Sequence, residues 1–294
     1  MANLYKDEID IREGDSFKNS SIVLESWLSL PNYLIEISSP RQDLCVIYFS
    51  SNGIYFPSNE ATFRERILSH NHFEWYKNRL SNADKHIFVR DVFEQWYLKG
   101  INKNIPNQDA LLAFLKKESL GYKRVVTIGS SAGGYAAILF GCQLNAFKIF
   151  SFSPRISLTP LIEKASTNKN PILYALRGTE QLKNADLRQV VDMDSPNVIC
   201  FFPIHSQFDI QQNALLNGFT LLRTIRINSK KHGVPIVKPV ECLNVLLEYK
   251  EHQWIDICAS EHSPHSFTFK VLGPIAYINF IYEKVKKWFI NAFR

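Results

Sequence analysis

The chain has 294 residues, 46% of them hydrophobic, and a formal net charge of +6. That is enough for one large α/β domain with a well-developed core. No apolar run reaches the ~20 residues needed to cross a bilayer, and the mild positive charge comes without the basic face or recognisable module of a nucleic-acid binder. An anionic substrate or membrane surface is compatible with that charge. The five cysteines (Cys45, Cys142, Cys200, Cys242, Cys258) are odd in number and widely spaced. They read as reduced core residues, with no disulfide framework and no metal-ligand spacing. The start of the chain, Met1-Ala2-Asn3-Leu4-Tyr5-Lys6-Asp7-Glu8, lacks the apolar middle of a signal peptide. A cytoplasmic location is therefore expected.

Residues 1–20 are charged and aperiodic, a lead-in. Ser21–Ser29 and Tyr33–Ile37 are β-rich runs on either side of Pro31-Asn32, which predicts a hairpin at a sheet edge. Leu44-Cys45-Val46-Ile47-Tyr48-Phe49 is a continuous apolar run, the pattern of a strand buried on both faces. It ends in Ser50-Ser51-Asn52-Gly53. Ala61–Leu80 has helical spacing, with Phe63, Phe73, Trp75 and Tyr76 along it. An aromatic stripe at that period reads as core. His86–Asp91 reads as a strand ending in the charged pair Arg90 and Asp91. Charges at the carboxyl end of a buried strand sit where such sheets bind ligands, so the two either face a substrate or pair with each other. Gln95–Gly100 follows as loop or short helix, and Pro106-Asn107-Gln108-Asp109 opens a helix running through Lys117.

The chain then reaches Val125-Val126-Thr127-Ile128, Gly129-Ser130-Ser131-Ala132-Gly133-Gly134 and a small-residue helix pattern through Gly141. A strand, a Gly-x-Ser-x-Gly turn and a helix in that order form the nucleophile elbow of α/β-hydrolases. The turn is so tight that residues two before and two after the nucleophile must be nearly free of side chain, which Gly129 and Gly133 supply. Ser131 would project its hydroxyl at the sheet's edge. The Ala132 amide, at a helix N-terminus, would be the first oxyanion donor. The alternative is a Gly/Ser turn with no chemistry.

Phe147–Phe152 is the next strand, closed by Ser153-Pro154-Arg155, with Arg155 a further candidate for substrate binding. Alternation with helices from residue 86 onward predicts repeated βαβ units and a largely parallel sheet covered on both faces. Residues 156–196 are more polar and are expected to form an inserted lid. Asn197–Pro203 is a core strand, Gln211–Leu216 a short helix and Leu221–Ile227 a further strand. The loop Asn228-Ser229-Lys230-Lys231-His232-Gly233 and a helix from about Val240 to Tyr249 follow. Tyr277–Phe293 is an amphipathic helix. It is expected to close the domain by packing on the sheet, the other reading being a helix lying on a membrane surface.

Serine is a poor nucleophile at its own pKa, so Ser131 needs a histidine to take its proton and a carboxylate to hold that histidine's tautomer. In α/β-hydrolases the order is Ser, then Asp or Glu, then His, each at the carboxyl end of a strand. Asp209 and His232 follow successive strands in that order, whereas Asp192 and Asp194 precede theirs. His265 and His262, after the apolar run Trp254–Cys258, are the alternative bases. The loop after Leu44–Phe49 would supply the second oxyanion amide, from Ser51 or Asn52, unless it is an ordinary Asn-Gly turn.

From about Leu44 to Tyr249 these residues resemble the serine α/β-hydrolase superfamily. The elbow Gly129-Ser130-Ser131-Ala132-Gly133-Gly134 is similar to that of O-acetyltransferases that decorate bacterial capsule polysaccharide. The strand end Ser153-Pro154-Arg155 and the placement of Asp209 and His232 also resemble that group. The resemblance implies a Ser131, Asp209, His232 triad, an acyl-Ser131 intermediate and no metal. Residues 250–294 are a departure from it. The expectation is a single hydrolase-like domain over 1–294 that acts on a carbohydrate or small ester. It would be an esterase without cofactor, or an O-acyltransferase using acetyl-CoA or another acyl donor. The competing expectation is an inactive hydrolase fold serving as a binding or scaffolding protein.

Overall fold

The structure, a computed structural model, describes residues 17–191, 197–219 and 222–292. Among the described residues one eight-stranded sheet runs through the molecule in the order β1-β3-β2-β4-β5-β6-β7-β8. The strands are β1 (Tyr33–Ile37), β2 (Leu44–Phe49), β3 (Lys85–Val89), β4 (Arg124–Ser130), β5 (Lys148–Phe152), β6 (Val198–Pro203), β7 (Arg223–Ile227) and β8 (Glu261–His262). β1 lies antiparallel on β3 at one edge and every other pairing is parallel. The main helices are α1 (Ser21–Ser29), α2 (Gln108–Ser119), α3 (Ala132–Gln143), α4 (Gln207–Ala214), α5 (Pro239–Leu246), α6 (Glu251–Cys258) and α7 (Pro264–Ala292). This is the expected α/β-hydrolase architecture.

The continuous apolar run of β2 is explained by the two faces it serves. Cys45, Ile47 and Phe49 join one core with Leu111 and Leu115 of α2 and the whole apolar length of α3. Leu44, Val46 and Tyr48 join a second core with Leu243 of α5, Trp254 of α6 and Phe267 of α7. With side chains alternating faces at every step, a strand covered by helices on both sides has no polar position to spare. Residues 156–191 form short helical turns whose Ile156, Leu158, Leu173 and Leu187 belong to the first core. This stretch is therefore anchored beside α3.

Three local expectations are corrected. Ser21–Ser29 is helical and makes no hairpin. Its apolar side chains recur at helical intervals and pack with Tyr55, Phe63 and Phe93 in a satellite cluster, so the 3.6-residue period overrides β-branched composition. Ala61–Leu80 breaks up into a short helix over Glu60–Phe63, a π turn over Arg64–Ser69 and a 3₁₀ turn over Tyr76–Asn78. Its stripe is still mostly core, for Phe63, Phe73 and Trp75 are buried. Finally, α7 kinks at Gly273 (φ 78°), just before Pro274. Phe267 and Val271 are buried ahead of the kink, whereas Ile275, Ile278, Tyr282, Val285, Trp288 and Phe289 beyond it are exposed. The kink carries that amphipathic face away from the sheet on which it was expected to pack. Among the described residues no helix is long and apolar enough to cross a membrane.

Candidate active site

β4 delivers the chain to the elbow at the carboxyl edge of the sheet, with Gly129 beside Phe49 and Ser130 beside Phe152. Ser131 has φ 54° and ψ −114°, a strained combination for a residue with a side chain. The neighbouring glycines show why the bend is possible. A Cβ on Gly129 would lie 2.0 Å from the Gly133 carbonyl oxygen, and one on Gly133 would lie 2.3 Å from that of Phe49. The Ser131 amide is fixed by donating to Phe152 O at 2.8 Å.

From that bend the Ser131 Oγ lies 2.9 Å from His232 Nε2, and His232 Nδ1 lies 3.0 and 3.1 Å from the two Asp209 carboxylate oxygens. A carboxylate only accepts, so Nδ1–H donates to Asp209 and Nε2 is left to accept the Ser131 hydroxyl proton. Asp209 is wholly buried, while the His232 side chain keeps 41% of its surface exposed. The acid is shielded and the base is open to solvent. The helix carrying Asp209 begins at Gln207, four residues earlier than expected. Ser206 caps it, its Oγ accepting from the Asp209 amide at 3.4 Å. Asp209 therefore sits in the first helical turn, where the helix dipole favours a negative charge.

The loop bearing His232 is tied at several points. Ser153 Oγ donates to Gly233 O at 3.0 Å, the His205 amide donates to Ser229 O at 3.1 Å, and Phe208 sets its ring edge-on to the imidazole at 5.3 Å. The alternative bases lie elsewhere. His262 is buried on β8, its Nε2 2.8 Å from Ile257 O, and His265 Nδ1 is 2.8 Å from the Tyr277 hydroxyl. Neither meets Ser131, because α6 and α7 draw both rings into their own contacts.

Ala132 opens α3, and the first amides of a helix have no intrahelical acceptor. The Ser51 amide, expected as a second donor, is already engaged, donating to Glu74 Oε2 at 2.5 Å. That corrects the Ser51 alternative and leaves the Asn52 amide as the candidate on this loop. Burial pushes the Glu74 carboxyl above its ordinary pKa. Nothing in the sequence marked Glu74, which sits among aromatics that read as core.

Arg90 and Asp91 are also corrected. Arg90 is buried and donates to Asn32 Oδ1 and His72 O, each at 3.0 Å. Asp91 accepts from the amides of Phe93, Gln95 and Tyr97 at 2.7–3.0 Å. Both spend their polar groups on the fold, and they pair neither with substrate space nor with each other. Arg155 differs: its guanidinium lies 4.4 Å over the Phe208 ring and 5.8 Å over the Trp96 ring.

The elbow and the sheet order define the class of this molecule, an α/β-hydrolase fold with a serine, a histidine and an aspartate hydrogen-bonded in line. No family model and no curated protein sequence matches the chain. Among solved structures it is similar to the capsule O-acetyltransferase of Neisseria meningitidis serogroup A, at 15% identity, 68% of this chain and 85% of that one, with a TM-score of 0.46. It is also similar to esterase B from Lactobacillus rhamnosis, at 13% identity, 97% and 94% coverage and a TM-score of 0.40. A third similarity is to an esterase of Pyrobaculum calidifontis, at 12% identity, 72% and 80% coverage and a TM-score of 0.37. All three scores lie below 0.5, and the strand order and elbow define the fold independently of them.

Proposed function

We propose that the protein is a serine-dependent acyl-ester enzyme working through an acyl-Ser131 intermediate. The observation that carries this reading is the unbroken run of hydrogen bonds from Ser131 Oγ through the imidazole of His232 to buried Asp209. Ser131 Oγ attacks the ester carbonyl as His232 Nε2 takes the hydroxyl proton. The charge building on the carbonyl oxygen meets the Ala132 amide, aided by that of Asn52. The tetrahedral species collapses, and His232 returns the proton to the departing alcohol. A second hydroxyl then loses its proton to His232 and attacks the acyl carbon. The proton passes back to Ser131 as its bond to the acyl group breaks.

If the second hydroxyl is water the reaction is hydrolysis, and if it belongs to a sugar the reaction is acyl transfer. The exposed imidazole admits either. The similarity of the elbow to those of capsule O-acetyltransferases makes a carbohydrate hydroxyl the acceptor to test first, with acetyl-CoA or a simple acetyl ester as donor. The test is turnover of 4-nitrophenyl acetate and covalent capture by a fluorophosphonate. Both are expected for the native chain and lost in Ser131→Ala. Absence of both in the folded native chain would overturn the reading.

One observation favours a second reading. Glu74 holds the Ser51 amide and sets a carboxylate beside the loop from which an oxyanion donor is expected. A hydrolase fold that retained its shape and lost its chemistry would bind a ligand without ever labelling Ser131.

A further inference from the structure

Arg155 stands apart from the other arginines. Each of the others among the described residues, Arg41 through Arg226, has an oxygen acceptor or an acidic partner. Among the described residues no acceptor takes a hydrogen bond from Arg155. The residue is partly buried, and burial pushes its pKa down to about 10. No Arg155 nitrogen is both buried and unpaired, so the free fork reaches solvent, where an incoming anion can meet it.

The side chain is nevertheless held in place. Its guanidinium carbon lies 4.4 Å from the Phe208 ring centroid and 5.8 Å from that of Trp96. Cation–π contacts of that kind use no N–H donor of the fork. The backbone is pinned on one side by Pro154 and on the other by Gln212, whose Oε1 accepts from the amides of Ile156 at 2.7 Å and Ser157 at 3.3 Å. Trp96 has φ 53° in a loop whose flanking amides, those of Gln95 and Tyr97, are bound by Asp91. Its carbonyl accepts from Gln108 Nε2 at 3.2 Å. Several buried groups thus hold one partner-free fork. Its location is the active edge: the Phe208 ring contacts both Arg155 and His232.

We propose that Arg155 is the receptor for an anionic group on the substrate, so that the ester or the acyl acceptor carries a carboxylate or a phosphate beside the reacting oxygen. The planar fork matches either group with two parallel hydrogen bonds. An arriving anion would satisfy donors that the fold leaves open. This rests on the acyl-ester reading above and narrows its substrate class. The competing role is electrostatic support of Asp209, whose negative charge acts on Arg155.

Two measurements separate these roles. The first compares acetate release from mono-O-acetylated glucose, glucuronate and glucose 6-phosphate by the native chain and by Arg155→Gln. The preference for an anionic ester over the neutral one, as a ratio of kcat/KM, is expected to fall on the order of tenfold or more in the variant. Most of that fall should lie in KM, with Arg155→Lys partly restoring it. Whichever acid shows the larger fall identifies carboxylate or phosphate as the group bound. An equal loss on all three esters, lying in kcat, would show that Arg155 serves Asp209 and would overturn the proposal. The second measurement is calorimetric binding of glucuronate and glucose 6-phosphate to Ser131→Ala, which needs no turnover. Binding that disappears in the Ser131→Ala, Arg155→Gln double variant upholds the anion site even if the acyl chemistry fails. No binding of either compound, beside normal turnover of neutral esters, overturns the anion site and leaves the chemistry standing.

Discussion

The carboxylate of Glu74 receives the amide of Ser51 across 2.5 Å, on the loop immediately after β2. The neighbouring Phe49 and Ser50 carbonyls press on Gly133 of the elbow helix. A partly buried acid is thereby fastened to the segment that flanks the nucleophile.

Burial is the largest influence on Glu74 and raises its folded pKa above the ordinary value. A carboxyl raised in this way contributes its full stability below its unfolded pKa and loses it as pH rises through the folded one. Glu74→Gln keeps an oxygen for the Ser51 amide and removes the charge. Its melting temperature should equal that of the native chain at pH 4 and exceed it increasingly toward pH 8. The gain should be about 2–4 °C for each kcal/mol recovered. A gap that does not widen with pH would show that the buried charge costs nothing.

His86 predicts a slope of the opposite sign. Burial on β3 holds its pKa down to about 4, with its Nδ1 3.1 Å from the Tyr48 hydroxyl. The unfolded chain takes up that proton near pH 6.5 and the folded one only near pH 4. Stability present above pH 6.5 should therefore drain away between those values. Urea denaturation at pH 7, 5.5 and 4.5 should show the loss in the native chain and a shallower one in His86→Asn.

Removal of single members of the Ser131–His232–Asp209 set should not add up. Ser131→Ala and His232→Ala should each lower kcat on a chromogenic ester by roughly 10³-fold or more, with the double variant no slower than either alone. Asp209→Asn would fit the same space but favours the wrong imidazole tautomer, for a loss on the order of 10⁴-fold. Independent, multiplying losses would show that the three do not act as one relay.

Steric demand at the elbow is testable without any substrate. In Gly133→Ala the new carbon would fall 2.3 Å from a backbone oxygen, whereas in Gly53→Ala it would meet only the Ser51 Oγ at 3.5 Å. The first should cost at least ~1–3 kcal/mol of stability, as overpacking of a rigid site does. The second should stay within about 0.5 kcal/mol. Comparable midpoints in denaturant would remove the argument that the bend requires glycine.

The local strings that describe one strand or one turn were legible because each carries its own period. Six apolar residues from Leu44 to Phe49 declared a strand with two covered faces. The spacing of Gly129, Ser131 and Gly133 declared a bend that few other residues tolerate. Where two periods competed the reading failed. Ser21–Ser29 has β-branched and aromatic residues at helical intervals and folded as a helix. The turn chemistry of Pro31-Asn32 pointed to a hairpin, yet Asn32 instead accepts from the Arg90 amide and side chain.

The sequence by itself determined the doubly covered strand from Leu44 to Phe49 and the strand, bend and helix around Ser131, because side-chain periodicity and glycine sterics act between near neighbours in the chain. Only the tertiary structure decided which of three histidines meets Ser131, which amide Glu74 claims, and that Arg155 has no acceptor among the described residues while Arg90 has two. The Ser51–Glu74 and Ser131–His232 contacts join groups 23 and 101 residues apart in the chain. Partners at such distances are chosen by packing and by the cost of burying an unpaired polar group, which no short stretch of residues encodes.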